Sequence, residues 1–241
     1  MKIEARNMHF KDLNEAVRHT SDTNIEIDQC LGQRYIASGL GGKSITINGI
    51  PGNALGSYLN GADIVVNGNA QDATGDTMNE GHIYIHGSCG DATGYGMRGG
   101  KIYIRGSAGY RAGIHMKAYK DKLPVIVIGG SAGSFLGEYQ AGGIIIVLGL
   151  DREDSSAPVG RFCGTGMHGG KIFLCCDNVP DDLPGQIIVH KAKREELGEI
   201  EHYISEYCAH FGGEEERILS KNFYILSPNS KNPYKQLYTY N

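Results

Sequence analysis

The sequence has no tryptophan, no C-x-x-C pair and no excess of basic residues. Its 23 Lys and Arg against 27 Asp and Glu give a formal net charge of -4, which argues against a nucleic-acid partner. The longest apolar run, residues 142–150, is too short to span a bilayer, and no apolar secretory segment follows the first residues. We therefore expect a cytoplasmic protein without a membrane partner.

The spacing of reactive side chains in the sequence does not indicate a catalytic, cofactor or metal site in this chain. The six cysteines lack metal-ligand spacing, so free, buried thiols in a reducing compartment are expected. His82 and His86 share a strand face, but Tyr84 lies between them and an exposed face is favoured over a metal site. Asp72 and Asp91 occupy one position of a repeat, where turn capping is favoured over acid chemistry. We predict no catalytic, cofactor or metal site in this chain.

Glycine is abundant, with 36 residues, and much of it belongs to an internal repeat. A unit of the form I-x-I-x-G recurs, mostly at a spacing of 19 residues. Its alternation of apolar residues predicts short strands that become stable only when copies stack and bury their apolar pairs together. The second apolar residue of each pair is Ile47, Val66, Ile85, Ile104, Ile128, Val147 and Leu174.

The repeat predicts an all-β fold, a single-stranded right-handed parallel β-helix of about seven or eight coils with short flanking helices. Three regions are expected: an N-terminal segment with a short helix (1–22), the repeat itself (23–190), and a C-terminal helix with an extended arm (191–241). Helical spacing of apolar residues after position 190 ends at Gly212 and Gly213.

A literal G-x-G-x-x-G occurs twice, at Gly94 to Gly99 and at Gly164 to Gly169. A dinucleotide site would need a helix after these glycines, whereas both copies lead into a strand of the repeat. We therefore interpret the glycines as corners at which the chain turns. The predicted corner glycines are Gly75, Gly81, Gly94, Gly96, Gly99, Gly164, Gly166 and Gly169.

The outward-facing position of the later strands is apolar, although a solvated face would be polar. Either the chain's own C-terminal helix or a partner subunit must cover it. If a partner subunit covers this face, Val127, Ile146 and Phe173 form the candidate interface.

The segments GNAQDATGDTMNEG, GDATGYGMRGGKIYIRG and GRFCGTGMHGGKIFL resemble the C-terminal GXGXG domain of the large subunit of glutamate synthase. The closing FYILSPNSKNPYKQL is similar to the tail of that domain. The resemblance covers roughly Ile3 to Tyr238. The glycine repeat is also similar to that of the C subunit of formylmethanofuran dehydrogenase. One departure is GNAQDATGDTMNEG, because the family often has GDANDYVGKGLSGG there, with a Lys and a further Asp.

The resemblance implies a separately encoded, archaeal-type structural subunit of a glutamate-synthase-like oxidoreductase. Its implied partners are an amidotransferase subunit and a synthase subunit, with FMN and iron–sulfur clusters in those partners and no cofactor in this chain. The complex would transfer ammonia from glutamine to 2-oxoglutarate and form glutamate. A formylmethanofuran dehydrogenase component and a carbohydrate-active β-helix protein are the alternatives, and a homo-oligomer is possible.

Overall fold

The computed structural model describes residues 1–152 and 156–229. Residues 230–241 of the predicted arm therefore lie outside the described residues. The strands are β1 (Lys2–Glu4), β2 (Asn24–Leu31), β3 (Ser44–Ile50), β4 (Asn60–Asn67), β5 (Glu80–Ile85), β6 (Lys101–Ile104), β7 (Val125–Ile128), β8 (Ala141–Val147), β9 (Gly169–Cys175), β10 (Ile187–Lys191) and β11 (Phe223–Pro228). The helices are α1 (Phe10–His19), α2 (Arg194–Leu197), α3 (Glu201–Phe211) and α4 (Glu215–Leu219).

The strands form one sheet in the order β1-β2-β3-β4-β5-β6-β7-β8-β9-β11-β10. From β1 to β9 each strand pairs in parallel with the next one along the chain. The register that the repeat predicts is confirmed, because Ile47 pairs with Val66, Val66 with Ile85 and so on to Leu174. At its end the sheet becomes antiparallel, since β11 pairs with β9 and β10 pairs with β11.

The predicted fold class, an all-β parallel β-helix, is wrong. The described strands form a single open, mixed sheet whose outermost strands are β1 and β10, and four helices accompany it, which suggests an open α/β-type sheet. Among the described residues, the segments between the strands contribute isolated one-residue bridges, such as Ala70 with Cys89 and Cys89 with Ala108, and no second sheet. A repeated strand pattern specifies parallel pairing, but it does not specify whether the connecting segments become strands.

Two apolar cores lie on opposite faces of this sheet. On one face the isoleucine columns of β2 to β9 pack against residues of the intervening turns, including Leu55, Met78 and Met97. On the other face the later strands pack against α2, α3 and α4. The helix α1 also joins the first core, because Leu13 and Val17, four residues apart on one helix face, are fully buried.

Candidate functional site

The three residues of the predicted interface lie beneath the chain's own C-terminal elements. Val127, Ile146 and Phe173 are fully buried in the apolar core that also contains residues of α3 and β11, among them Ile204 and Ile225. Burial of each such side chain contributes about 1.5–3 kcal/mol. The prediction that a partner covers these three residues is therefore wrong, because the chain's own C-terminal elements cover them.

The same outward column carries two tyrosines that anchor helix α3 to the sheet. The hydroxyls of Tyr84 on β5 and Tyr103 on β6 each donate a hydrogen bond of 2.7 Å to the carboxylate of Glu206 on α3. Lys101 Nζ lies 2.9 Å from the same carboxylate. The ring of His210, one helical turn further on, stacks on Tyr84 with 3.6 Å between centroids. This cluster fixes the helix position on β5 and β6.

The electrostatics of the cluster follow from one partly buried carboxylate. Burial alone would raise the pKa of Glu206, but the hydrogen bonds from Lys101, Tyr103 and Tyr84 lower it to about 2. The pKa values of Tyr84 and Tyr103 are raised, first by burial and then by their bonds to the carboxylate. All three groups therefore keep their charge states at neutral pH, and the arrangement is that of a structural anchor.

His82 lies in β5 and His86 directly follows that strand, and the two side chains have different partners. His82 Nδ1 lies 2.7 Å from Asp63 Oδ1 on the neighbouring strand β4. His86 meets the edge of the Phe211 ring at 5.0 Å, and its pKa is lowered by burial and by Arg105 and His210. In the part of the chain that the structure describes, no three His, Cys, Asp or Glu side chains are placed to hold a metal ion.

The carboxylates Asp72 and Asp91 act within the turns. Asp72 Oδ1 accepts a hydrogen bond of 2.9 Å from the backbone N–H of Asp91, and Asp91 Oδ1 accepts one of 2.8 Å from Tyr110. These bonds differ from the predicted capping, because each carboxylate binds the backbone of the next turn, 19 residues further along the chain. Their role is therefore in the turn stack.

In the first glycine-rich stretch, the N–H groups of Gly94 and Gly96 already donate to backbone carbonyls. The N–H of Gly94 donates to Thr74 O at 2.8 Å, and the N–H of Gly96 donates to Ile114 O at 2.8 Å. Strand β6, and not a helix, follows them. Gly94 has a φ of +70°, and a Cβ there would lie 2.5 Å from Ile126 Cδ1.

The other predicted corner glycines have similar surroundings. Positive φ angles also occur at Gly75, Gly81, Gly96, Gly164 and Gly166, while at Gly99 and Gly169 a Cβ would collide with a backbone oxygen of the preceding repeat. Gly81 and Gly169 lie at the beginning of strands β5 and β9 and not at corners, and there the backbone of the neighbouring strand leaves no room for a Cβ.

The cysteines are buried or half-buried and form no disulfide. Burial raises the pKa of Cys89 and of Cys163 to about 12. Cys175 and Cys176 have pKa values raised to about 11, again mainly by burial. Since the thiolate is the reactive form, these raised pKa values lower the reactivity of the thiols at neutral pH.

An exposed aromatic surface, which sequence reasoning missed, follows the turns between the later strands. We call it the turn ridge and define it as Tyr95, His115, Phe135, Tyr139 and Phe162. His115 stacks on Tyr139 at 5.2 Å and meets Tyr95 edge-on at 5.8 Å. Phe135 stacks on Phe162 at 5.0 Å. The rings of Tyr95, Tyr139 and Phe162 are 42%, 37% and 47% exposed.

The backbone of the turn ridge is strained and well supported. His115, Phe135, Tyr139 and Phe162 all have φ between 55° and 63°, a conformation that disfavours bulky residues. Their turns are held by hydrogen bonds to the next turn, such as 2.9 Å from His115 N to Glu138 O and 2.8 Å from Tyr139 N to Thr165 O. Ala54, Ala73 and Ala92 have the same positive φ in earlier turns, so this conformation is a property of the repeated turn. The signal in the sequence is the fixed offset of the four ridge residues by two positions, before or after the turn glycines Gly113, Gly137 and Gly164.

Several known proteins are similar to this chain. A family model described as "GXGXG motif" matches residues 8–229. A protein of Methanocaldococcus jannaschii, named only as uncharacterised, is 45% identical over 249 aligned positions, which cover 98% of this chain and 95% of the relative. No helix among the described residues is long and apolar enough to cross a membrane.

The fold is shared with chains of solved structures. One of them belongs to the formyltransferase/hydrolase complex of Methylorubrum extorquens, whose X-ray structure was determined in complex with methylofuran. The superposition has a TM-score of 0.63 at 21% identity and covers 91% of this chain and 87% of that chain.

Proposed function

Because the chain belongs to the GXGXG-motif family, we propose that it is a structural subunit of a glutamate-synthase-like oxidoreductase complex. In this role it binds an amidotransferase subunit and an FMN- and iron–sulfur-containing synthase subunit, and holds them in position. The complex converts glutamine-derived ammonia and 2-oxoglutarate into glutamate. The chemistry belongs to the partner subunits, and this chain supplies docking surfaces and no catalytic residue.

The observation that carries this proposal is the exposed turn ridge. Protein interfaces are enriched in aromatic residues, and their strongest contacts are rigid aromatic anchors. The rings of His115 and Tyr139 are already ordered by stacking on each other, so little side-chain entropy is lost when a partner packs against them. The turn below them is braced by the ion pair of Arg111 and Glu138 at 3.0 Å.

A second candidate function is favoured by the fold shared with a chain of the formyltransferase/hydrolase complex. In that case the chain is a structural component of a formylmethanofuran-dehydrogenase-type complex. Its partners then carry a molybdenum or tungsten pterin and a metallo-hydrolase in place of a flavin. The identity of the co-purified subunits distinguishes the two candidates.

The test is affinity purification of the tagged chain from its native cell, as wild type and as ridge variants. His115→Asn with Tyr139→Asn removes two rings but leaves residues that tolerate positive φ, so the turns are kept. Tyr58→Asn is the matched control, because Tyr58 also has a positive φ (57°) and is 55% exposed, but lies outside the turn ridge. We expect the double variant to lose the partner subunits and the control to retain them. Equal retention by both would contradict a docking role of the turn ridge.

A further inference from the structure

Strand β10 is an edge strand of the sheet, and its outer side faces no other described strand. It pairs only with β11, with Val189 opposite Leu226. The opposite edge of the sheet, β1, has only three residues and carries Lys2 and Glu4, both exposed. A short, charged edge strand is protected against pairing with other chains, whereas β10 has five residues and begins with Ile-Ile-Val.

The hydrogen bonds of β10 show which backbone groups point outward. Ala192 N donates to Phe223 O at 2.8 Å, and Asn229 N donates to Gln186 O at 2.8 Å, so positions 186 and 192 face β11. In an antiparallel ladder the direction alternates with each residue. The N–H and C=O groups of Val189 and Lys191 therefore point away from β11, as an edge that a further strand can bond.

The apolar row that ends at Val189 is incomplete. Ile172 on β9, Leu226 on β11 and Val189 on β10 lie side by side on the same face of the sheet. Ile172 and Leu226 are fully buried, while Val189 is half-buried at the end of the row. On the other face, Ile188 is 49% exposed. A strand added at this edge would bury both side chains further.

We propose that β10 pairs with β10 of a second copy of this chain, antiparallel and about a two-fold axis at Val189. In this register Val189 lies opposite Val189 of the second copy, and Lys191 lies opposite Ile187 of the second copy. All paired positions are ones whose backbone groups point outward, as antiparallel bonding requires. The apolar row then continues as Ile172, Leu226 and Val189 of one copy followed by the same residues of the other in reverse order.

Charge and existing hydrogen bonds are compatible with this register. The two Lys191 residues are offset by four positions, which separates them by about 14 Å along the strands. The N–H of Ile187 already donates to Pro184 O at 2.9 Å, so the central Val189 pair and the two Lys191 N–H groups supply the bonds between copies. A two-fold arrangement closes on itself and gives a dimer, not a fibre.

Cysteine cross-linking tests the register. In a hydrogen-bonded antiparallel pair the facing Cα atoms are about 5.5 Å apart, within the range that a disulfide spans. We therefore expect Val189→Cys to give a covalent dimer under mild oxidation. Lys191→Cys is the matched control, because its two copies would be about 14 Å apart. Cross-linking of neither variant above the wild-type level, or of both equally, would overturn the proposal.

The mass in solution tests the pairing itself. By analytical ultracentrifugation over a concentration series, the wild type should sediment as a dimer of twice the 26.0 kDa chain mass. Val189→Thr keeps the outward N–H and should also dimerise. Val189→Pro removes that N–H without deleting a bond to β11, and should shift the protein to the monomer. A wild type that remains a monomer, or a folded Val189→Pro variant that dimerises like the wild type, would overturn the proposal. If Val189→Pro fails to fold, the cross-linking pair decides.

Discussion

Replacing Glu206 by Gln should destabilise the protein by removing the charge that joins α3 to the sheet. Glu206 accepts hydrogen bonds from Tyr84 and Tyr103, both at 2.7 Å, and pairs with Lys101 at 2.9 Å. The amide keeps one neutral acceptor oxygen, so one tyrosine hydroxyl loses its acceptor and the other binds an uncharged one. The ion pair with Lys101 is lost as well.

The size of the effect follows from the contacts and from the pKa of the carboxyl. A hydrogen bond to a charged group contributes about 1.5–3 kcal/mol, and the partly exposed ion pair adds less than about 1 kcal/mol. The lowering of the pKa of Glu206 from 4.5 to about 2 corresponds to about 3 kcal/mol before it is reduced for partial solvent exposure. We therefore expect Glu206→Gln to lower the free energy of unfolding by about 2 kcal/mol at pH 7.

The sign of the pH dependence is fixed by the lowered pKa. The contribution of Glu206 is fully present above the pKa of the unfolded chain, 4.5, and is lost as the pH falls towards about 2. The difference between wild type and Glu206→Gln should shrink over that range.

Urea unfolding followed by circular dichroism at each pH measures the free energy of unfolding of the wild type and of Glu206→Gln. Glu201→Gln on the same helix is the control, and its free energy of unfolding should change by less than about 1 kcal/mol. A variant as stable as the wild type at pH 7, or a difference that stays constant down to pH 3, would refute the reasoning.

Three further predictions concern the cores and the turns. Phe173→Ala should lower the free energy of unfolding by about 3–5 kcal/mol, measured by urea titration, because the fully buried ring leaves a cavity beneath the C-terminal helices; a loss below 1 kcal/mol would mean that the ring is not packed as described. Gly94→Ala should lower the melting temperature, since the new methyl group would meet Ile126 Cδ1 at a position with φ of +70°; an unchanged melting temperature would argue against the corner role. A thiol reagent should modify Cys89 only after unfolding and half-buried Cys208 earlier, as followed by mass spectrometry; rapid labelling of Cys89 in the native protein would contradict its burial.

The strand register could be predicted from sequence because each repeat has the same pattern of apolar residues. The apolar pairs, such as Ile83 with Ile85, alternate with outward residues and recur at 19 residues, so parallel pairing in register is the arrangement that buries them together. The final strands could not be predicted in this way. β10 lies at the end of the region assigned to the repeat and β11 beyond it, neither has the repeat unit, and their antiparallel pairing depends on where α2 to α4 return the chain.

The outer face shows a different limit of sequence reasoning. The apolar side chain of Phe173 predicts burial, but it contains no information on whether the cover is α3 or another protein. Glu206 was missed because a single glutamate in a helix is unremarkable until Tyr84 and Tyr103 are brought beside it from more than 100 residues away. The turn ridge was missed because residues such as Tyr139 adopt a backbone conformation that propensity assigns to glycine or asparagine.

We propose that this chain is a structural subunit of an oxidoreductase complex whose chemistry lies in the partner subunits. The measurement that tests it most directly is the absorbance spectrum of the complex purified from the native cell through a tag on this chain, with its subunits identified by mass spectrometry. A glutamate-synthase-like complex should show the absorbance bands of a flavin and of iron–sulfur clusters, and it should contain an amidotransferase subunit. A colourless single chain that turns over a substrate on its own would contradict the proposal.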